Sequence, residues 1–357
     1  MSETSRTKFY DIPVLRVVDE THDARSYAFD VPAELQEIFK HRAGQFLTFE
    51  VPYEQMQLRR SYSLASAVEL GEVPCVVVKR VPDGRISNWF HDNVKEGDVL
   101  RVQPPAGRFV LNEKRNEAPL LLLAGGSGIT PMMALLKAAL LSTERKIRLV
   151  YANRDVRSII YHDVLTRLQA RFWERFEVVY HLDSERGFMT AEDVEGLVKN
   201  WAYADAYICG PGAWMDVVEN RLVAMGFPSN QVHVERFVSP MDPDRQRPEV
   251  VEALAAAAAD TNAEAAEAEI ISGGVSITVT VNPGESVLEA AHREGHDIEF
   301  QCEEGYCGCC MAKLREGEVN MPLYDALSDS EVEEGWVLCC QARPKTKRVV
   351  IDYDANF

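Results

Sequence analysis

The sequence has too few basic side chains to balance its acids. Its 357 residues include 38 lysines and arginines against 56 aspartates and glutamates, a formal net charge of −18. Binding to nucleic acid needs a basic face for the phosphates, so this class of function is excluded. The charge is −3 over residues 1–248, −6 over 249–269 and −9 over 270–357. We therefore expect the last third of the chain to meet a basic partner.

Long apolar stretches are also missing. The runs over residues 120–124 and 135–141 are far shorter than the roughly 18 residues of a membrane span. Residues 1–11 are polar and lack the apolar segment of a signal peptide. These absences predict a cytoplasmic protein without a membrane segment.

Cysteine is scarce in most of the chain. Only Cys75 and Cys209 precede residue 302, and the other six of the eight cysteines lie between 302 and 340. Eight cysteines are too few for a disulfide scaffold of this length. In a cytosolic protein, a cluster of cysteines indicates a metal site rather than disulfides.

The hydrophobic pattern divides the chain into four parts. Residues 1–112 have short apolar runs separated by Gly, Pro and Asp, which predicts an antiparallel β-barrel or sandwich. Residues 113–237 alternate apolar strands with helical stretches, which predicts a parallel α/β sheet. Residues 238–269 are predicted to be a linker, and residues 270–357 a small mixed α/β domain.

Residues 249–269 contain 10 alanines in 21 positions, with no aromatic and no basic residue. This composition fits either an isolated helix or a mobile linker, and we favour the linker because there is little to bury. In the domain that follows, Ser286 and Glu289 form a capping-box pattern that predicts the start of a helix.

The cysteine spacing is the most specific signal in the sequence. Cys302, Cys307 and Cys310 form a Cys-x4-Cys-x2-Cys pattern, and Cys340 follows after 29 intervening residues. This is the spacing of a plant-type [2Fe–2S] ferredoxin. A zinc site prefers two Cys-x-x-Cys pairs, whereas the second pair here is adjacent. We assign Cys340 as the fourth ligand, with Cys339 as the alternative.

Two glycine-rich segments follow apolar strands and precede helices. The first is Gly125–Pro131, in which free backbone amides and a helix N-terminus favour a pyrophosphate, with Pro131 expected at the first helical position. The helix from Pro131 to about Leu141 is predicted to be amphipathic. The second is Cys209–Gly212, at the carboxyl end of a predicted parallel strand, where such sheets bind ligands.

Two further segments lie in the β-rich part. Strand alternation places Arg60 and Tyr62 on one face, and Ser61 and Ser63 on the other. The segment from Gly84 to Asn88 predicts a helix start capped by Ser87, which is a second possible phosphate site.

Taken in order, these motifs closely resemble the ferredoxin–NADP reductase superfamily. The C-terminal cysteine motif makes the chain similar to three-part oxygenase reductases, most of all those of 3-ketosteroid 9α-hydroxylases, and phenylacetyl-CoA epoxidase reductases share the domain order. The resemblance implies a multidomain protein with an antiparallel β-barrel flavin domain, an α/β parallel-sheet nucleotide domain and an α+β β-grasp ferredoxin domain.

The resemblance also implies roles at matching positions. Arg60 matches the arginine on the flavin phosphate, Tyr62 the ring that packs on the flavin, and Ser63 the hydroxyl near its reactive nitrogen. The matching positions on the next strand and on the pyrophosphate loop and helix start are Val78, Lys79, Gly84, Ile86, Ser87 and Asn88.

For the nicotinamide nucleotide, the resemblance implies the positions Gly126, Gly128, Thr130, Pro131, Cys209, Gly210 and Pro211. Glu235 and Phe237 match the segment that closes this domain beside the flavin. The residues expected to take part in catalysis are Ser63, Cys209 and Glu235.

The choice of nucleotide depends on the residues that follow the second strand of the α/β part. After the second strand of the α/β part, Arg154 or Arg157 has the charge to hold a 2′-phosphate, while Asp155 is a candidate for the ribose hydroxyls. The resembled reductases use NADH, which we therefore expect. FAD rather than FMN is likewise implied by the resemblance alone.

The resemblance implies electron transfer from NADH, through FAD and a [2Fe–2S] cluster, to a terminal oxygenase, which we expect to be of the Rieske type. We expect the oxygenase to dock on the acidic ferredoxin domain and the reductase to be a monomer. Three other functions stay open: the reductase of a di-iron oxygenase of the phenylacetyl-CoA epoxidase type, a stand-alone electron-transfer or redox-sensing protein, and a zinc-stapled interaction protein.

Overall fold

A computed structural model describes residues 8–53, 56–82, 84–237, 255, 264–296, 298–300, 303, 305, 307–324, 326–327 and 329–355. The chain forms two compact units that divide between Phe237 and Val238. No helix within these described ranges combines the length and apolarity needed to cross a bilayer.

The first unit begins with an antiparallel barrel. Its six strands follow the spatial order β4-β3-β6-β1-β2-β5. A bridge between Leu64 and Val76 joins the end of β4 to β5 and closes the barrel. The strands are β1 Tyr10–Asp19, β2 Ala24–Phe29, β3 Phe46–Tyr53, β4 Met56–Ser63, β5 Cys75–Lys79 and β6 Val99–Ala106.

Helix α1, Arg85–Asn93, packs against this barrel through a buried aromatic cluster. The ring of Phe90 lies edge-on to those of Tyr27, Phe49 and Tyr62, with centroids 5.2–5.4 Å apart. Edge-to-face rings contribute attraction beyond the burial of their area. The cluster therefore fixes α1, and the turn before it, against β3 and β4.

The second part of the first unit is a parallel sheet with the strand order β11-β10-β7-β8-β9. Its strands are β7 Leu120–Gly125, β8 Ile147–Asn153, β9 Phe176–Leu182, β10 Asp205–Gly210 and β11 Val232–Arg236. Its helices are α2 Ile129–Ser142, α3 His162–Arg171, α4 Asp183–Arg186, α5 Ala191–Val198 and α6 Gly212–Ala224.

Besides separate clusters in the barrel and in the sheet, one hydrophobic core is shared by both parts of the first unit. Ala24, Ala65 and Val77 of the barrel side belong to the same cluster of buried residues as α2 and strand β7. Helix α2 is consequently buried on nearly all sides, so the prediction of an amphipathic helix was wrong. Its one lysine, Lys137, donates hydrogen bonds to Glu72, at 2.8 and 3.0 Å, and to the Ala65 carbonyl at 3.2 Å.

The second unit is a β-grasp domain with its own core. Its main sheet has the order β13-β12-β18-β14-β16, in which β12 and β18 are parallel. The strands are β12 Ala266–Ser272, β13 Val275–Val281, β14 Met311–Glu316, β15 Val319–Asn320, β16 Trp336–Leu338, β17 Arg343–Pro344 and β18 Arg348–Asp352. The described residues of this unit also form helices α7 Val287–Arg293 and α8 Asp329–Glu333.

The predicted capping box is present at the start of α7. The Glu289 amide donates to Ser286 Oγ at 3.2 Å, and the Ser286 amide donates to the Glu289 carboxylate at 2.7 Å. The predicted linker ended at residue 269, whereas β12 begins at Ala266, because the alternating Ala266, Ala268 and Ile270 are buried in the sheet. Most of the rest of this predicted linker lies outside the described residues.

Candidate functional site

The predicted flavin motif lies at the end of β4. Antiparallel pairing sets Arg60 opposite Phe49 and Tyr62 opposite Leu47. Because Phe49 and Leu47 are buried in the barrel core, Arg60 and Tyr62 share that face. On the other face, the Ser61 hydroxyl lies 2.9 Å from that of Thr48. The alternation predicted from the sequence is therefore confirmed.

The second predicted phosphate segment, from Gly84 to Asn88, forms the start of helix α1, but the residue that caps the helix differs from the prediction. Gly84, not Ser87, is the N-cap residue. Ser87 is the third helical residue, and its hydroxyl turns back into the loop, where the Val81 amide donates to it at 3.3 Å. A Cβ on Gly84 would lie 3.0 Å from the Val81 carbonyl oxygen, so the turn is tight.

Strand β5 and helix α1 lie on either side of this turn. Val78 and Lys79 end β5, and the carbonyl oxygen of Val78 lies 2.8 Å from His91 Nε2. Asn88 Nδ2 donates to the Val81 carbonyl at 3.4 Å. Ile86 is buried on the inner side of α1. The predicted positions from Val78 to Asn88 are thus brought together along one edge of the barrel.

The glycine-rich segment after β7 leads directly into helix α2. Gly126 has a positive φ of 52°, which favours glycine, and its carbonyl accepts a hydrogen bond from the Tyr151 hydroxyl at 3.0 Å. The Thr130 hydroxyl donates to the Ser127 carbonyl at 2.8 Å. Because α2 begins at Ile129, Pro131 is the third helical residue rather than the first. The first four N–H groups of a helix have no partner within it, so proline is tolerated at the third position as well.

Gly128 lies against the end of strand β10. A Cβ built on Gly128 would stand 2.0 Å from the Cys209 carbonyl oxygen and 2.8 Å from the Gly210 nitrogen. Trp214 lies in the first turn of α6. A Cβ built on Gly125 would stand 3.1 Å from its ring, and a Cβ built on Gly210 would stand 2.8 Å from it. The two predicted nucleotide segments therefore form one site, and only glycine fits at their contact.

The three residues expected to take part in catalysis meet at the junction of barrel and sheet. Ser63 Oγ donates to Glu235 Oε2 at 3.0 Å, across 172 positions of sequence. Cys209 stands opposite Glu235 in the parallel pairing of β10 with β11. Phe237 follows β11 and is 40% exposed.

Burial controls the protonation of this group. It raises the pKa of Glu235 to about 8, and the hydrogen bond from Ser63 opposes that shift. The pKa of the Cys209 thiol is also raised well above its usual value, by burial and then by the nearby Glu235 charge. The site therefore holds a thiol and, below about pH 8, a protonated carboxyl group.

A charged cluster lies at the end of β8, the strand next to the glycine-rich segment. The Arg154 guanidinium donates to Asp23 at 2.7 Å, and Lys79 Nζ lies 3.9 Å from the same carboxylate. Asp155 accepts from the amide and the hydroxyl of Ser158, both at 3.0 Å. Arg157 is 85% exposed and lies 3.7 Å from Asp155.

In the second unit, the loop with the cysteine motif wraps tightly. Gly305 and Gly308 have φ angles of 80° and 72°, and a Cβ on Gly305 would lie 2.7 Å from the Leu323 carbonyl. The Cys309 amide points at Cys307 Sγ, and the Cys340 amide at Cys310 Sγ, each at 3.5 Å. Cys302 lies outside the described residues.

These observations fit the implied cofactors. Backbone amides directed at cysteine sulfurs, here those of Cys307 and Cys310, are the environment that iron–sulfur ligands have, and Cys340, the predicted fourth ligand, supplies one of these amides. The glycine contact between the β7 and β10 ends would hold a dinucleotide at the carboxyl edge of the sheet. When bound, a flavin and a [2Fe–2S] cluster convert a two-electron hydride donor into a source of single electrons.

Sequence reasoning missed Asp23, Trp214 and Tyr151, which shape the nucleotide edge. Tyr151 precedes Asn153 at the end of a recognised strand, so it could have been considered. Asp23 is 131 positions from Arg154, and no local pattern joins them.

Comparison with known families agrees with this arrangement. Three family models match in succession: an oxidoreductase FAD-binding domain over residues 11–111, an oxidoreductase NAD-binding domain over 122–220, and a 2Fe-2S iron-sulfur cluster binding domain over 270–345. The protein is thus a flavin- and iron–sulfur-containing oxidoreductase of the NAD-binding class. FAD, NADH and a [2Fe–2S] cluster, predicted from the sequence, are confirmed as its cofactors.

Relatives along the whole chain narrow the class. The chain is 37% identical to a 3-ketosteroid-9-alpha-monooxygenase ferredoxin reductase component of Rhodococcus rhodochrous, over 96% of each chain. It is 32% identical to one of the subunits of the 1,2-phenylacetyl-CoA epoxidase of Escherichia coli, over 98% of this chain and 99% of the relative. It belongs to the family of three-domain oxygenase reductase components.

A solved structure shares the fold over nearly the full length. Phthalate dioxygenase reductase, described as a modular structure for electron transfer from pyridine nucleotides to [2Fe-2S], superimposes with a TM-score of 0.59 and 26% identity. The match covers 96% of this chain and 98% of that one. The predicted family, fold class and type of activity are confirmed; the roles of individual site residues stay predictions.

Proposed function

We propose that the protein passes electrons from NADH to a Rieske-type terminal oxygenase of the 3-ketosteroid 9α-hydroxylase kind. The observation that carries the proposal is the full-length likeness to the reductase component of that system, at 37% identity. The likeness to the epoxidase protein, at 32%, makes a di-iron epoxidase of the phenylacetyl-CoA type the second candidate partner.

The direction of electron flow supports a Rieske partner. Plant-type clusters have potentials near about −400 mV, and Rieske centres lie at about −150 mV or above. A difference of about 250 mV favours transfer of one electron by about four decades in the equilibrium constant. Delivery from this class of cluster to a Rieske centre is therefore downhill.

We infer that the oxygenase docks on the acidic second unit. Residues 321–335 include five acids and no base. Within this segment, Asp329, Glu333 and Glu334 are exposed, and helix α8 packs against β16, the strand that leads to Cys340. Negative charge beside the predicted ligand strand would steer a basic surface toward it.

The docking proposal is tested by neutralising these charges. We expect the triple variant D329N/E333Q/E334Q to lower oxygenase-coupled turnover by about tenfold at low ionic strength, with little effect at high salt. Reduction of a small dye by NADH should stay within twofold of the parent. A matched variant of the first unit, D163N/E174Q/E192Q, controls for net charge.

If the triple variant couples as well as the control at low salt, the acidic surface is not the docking site. The choice of partner is tested separately, by reconstituting the reductase with a purified ketosteroid 9α-hydroxylase oxygenase or with a phenylacetyl-CoA epoxidase oxygenase. Faster product formation with the second would replace the first candidate. A protein that reduces no dye with NADH would instead be a stand-alone electron carrier.

The predicted linker, residues 238–269, is proposed to let the cluster domain serve both flavin and oxygenase. Its composition, with alanine and acids and no aromatic residue over 249–269, supports this role. Shortening 249–269 should slow oxygenase turnover more than dye reduction; equal effects would contradict the proposal. A monomeric state and a cytoplasmic location stay predictions.

A further inference from the structure

The charged cluster at the end of β8 joins the barrel to the nucleotide edge of the sheet. Asp23 lies in the turn between β1 and β2, and its side chain is only 16% exposed. It is held in place by Thr21, whose hydroxyl donates to Asp23 Oδ1 at 2.8 Å. The other oxygen, Oδ2, is the one that receives Arg154 Nη2 at 2.7 Å.

The two cations around Asp23 stand at neighbouring strand ends. Arg154 directly follows β8, and Lys79 Nζ lies 3.7 Å from where a Cβ on Gly126, after β7, would be. Strands β7 and β8 are adjacent and parallel, with Gly125 opposite Ala152. The Asp23 carboxylate thus lies beside the glycine-rich turn and the next strand end, where a dinucleotide spans from pyrophosphate to ribose.

Charge at this edge decides whether a 2′-phosphate is accepted. An arginine near the second strand end accommodates the 2′-phosphate of NADP, and an acid favours the free hydroxyls of NAD. Here the nearest arginine is already bound to a carboxylate from the barrel. The acid on the strand end itself, Asp155, is engaged in capping the turn to Ser158.

We propose that Asp23 is a specificity-determining residue, which selects NADH over NADPH by occupying the guanidinium of Arg154. A 2′-phosphate approaching Arg154 meets the Asp23 charge and must displace an existing charge-assisted hydrogen bond. NADH brings no charge to this position and does not compete for Arg154. The inference rests on the proposed reductase function and adds to it the residue that enforces the choice of NADH.

The burial of Asp23 is consistent with this role. Burial alone would raise its pKa, but the hydrogen bond from Thr21 and the charges of Lys79, His22 and Arg154 together lower the pKa below its usual value. The carboxylate is thus ionised at neutral pH and holds its negative charge against the phosphate.

The test uses the full-length protein with its cofactors, and dye reduction with NADH and with NADPH. We expect Asp23→Asn to raise the ratio of kcat/KM for NADPH to kcat/KM for NADH by roughly tenfold, through KM for NADPH. The gain should shrink with salt and be absent from D23N/R154Q. Asp19→Asn is the matched control, because Asp19 lies on the same hairpin and pairs with Arg25 at 2.5 Å.

Direct binding gives a second readout that does not depend on turnover. We expect Asp23→Asn to tighten 2′,5′-ADP by roughly tenfold relative to 5′-AMP, measured by calorimetry. The proposal would be overturned if the affinity for 2′,5′-ADP relative to 5′-AMP were unchanged in D23N, or if its increase persisted in D23N/R154Q. So would an Arg154→Gln variant that alone loses most of its NADPH use, because Arg154 would then already be available.

These outcomes are distinct from failure of the proposed function. If the parent protein reduces dye with neither nucleotide, the reductase function itself is wrong. If the parent uses NADPH as well as NADH, the reductase function stands and the selectivity assigned to Asp23 is wrong.

Discussion

The two compact units differ in how their parts are held. In the first, the barrel and the parallel sheet each have a buried cluster of their own, and a third, shared core around α2 joins them; Lys137 of α2 also bonds to the segment that follows the Arg60–Ser63 motif. The second has a separate core of its own. Charge differs as well, since residues 1–248 carry a net −3 and residues 270–357 a net −9.

This difference matches two chemical requirements. Hydride transfer needs reacting atoms held at contact distance, and a shared core keeps the flavin motif and the nucleotide edge in one geometry. Delivery to a separate protein needs a fast and reversible encounter, which charge promotes. We therefore expect substitutions in the first unit to affect nucleotide oxidation, and those in the second to affect delivery alone.

The largest effect is expected at the predicted fourth cluster ligand. Cys340→Ser should remove the visible absorption of the cluster and lower oxygenase-coupled turnover by at least about 100-fold, because the cluster loses a thiolate. NADH-driven reduction of a small dye by the first unit should stay within twofold. Absorbance, an iron and acid-labile sulfide assay, and the two activities provide the measurement.

Cys339→Ser is the matched variant for that experiment. Cys339 is fully buried in the core of the second unit, so serine there should cost some stability while leaving the cluster in place. The opposite result, with the cluster lost in C339S and kept in C340S, would reassign the ligand. Loss of dye reduction in C340S would show that the two units do not act separately.

An intermediate effect is expected at the contact between strand ends in the first unit. In Gly128→Ala, the added methyl would stand 2.0 Å from the Cys209 carbonyl oxygen, so the α2 start must shift. We expect a loss of about 1–3 kcal/mol in the free energy of unfolding. NADH-driven dye reduction should fall at least tenfold, with cluster absorption unchanged.

Gly196→Ala is the control for that variant. Gly196 lies within α5, and nothing stands within 4 Å of its Cβ position. Alanine there should be neutral or stabilise by up to about 1 kcal/mol. Equal thermal stability and activity of G128A and G196A would show that the strand ends are more loosely packed than described.

The smallest effect concerns Glu235 and pH. Because burial raises the pKa of Glu235 from 4.5 to about 8, the folded protein keeps a proton that the unfolded chain loses in this interval. The contribution of this group to stability therefore decreases as pH rises from about 4.5 to 8, and is constant above that. Glu235→Gln should be more stable than the parent at pH 9, by roughly 2 kcal/mol, and no different below pH 4.

Ser63→Ala sharpens the same test. It removes the hydrogen bond that lowers the pKa of Glu235, so the pH-dependent loss of stability should extend to higher pH. Denaturant unfolding at several pH values measures both variants, with Glu192→Gln as an exposed control. A parallel pH dependence in the parent and E235Q would contradict the role of Glu235.

Sequence patterns correctly predicted those structural elements that depend only on a few adjacent residues. The Ser286–Glu289 capping box and the strand–glycine–helix segment at Gly125–Gly128 were predicted from a few adjacent residues. The same reasoning misplaced Ser87 by three positions and Pro131 by two. A hydroxyl near a helix start fits the cap and the first turn equally well, and only backbone angles distinguish them.

Packing partners that lie far apart in sequence were beyond such reasoning. Helix α2 was expected to have a solvent-facing side, but the barrel part covers it; a Cβ on Gly44, for example, would lie only 3.1 Å from the Leu135 side chain. Ser63 and Glu235 were each selected from the family resemblance alone, and the hydrogen bond between them was not predicted. Asp23 was not considered, because its relation to Arg154 exists only in the folded chain.

The shared core also sets where this chain can be cut and recombined with its relatives. In a chimera joined near residue 112, the buried side of α2 would pack against the barrel of another protein. That barrel would have to accommodate Leu135 beside the Gly44 position and also provide an acid for Lys137, as Glu72 does here. A joint after Phe237 separates units whose cores share no residue. For exchange of parts between reductases, flavin and nucleotide domains are therefore a single module, and the iron–sulfur domain is the interchangeable one.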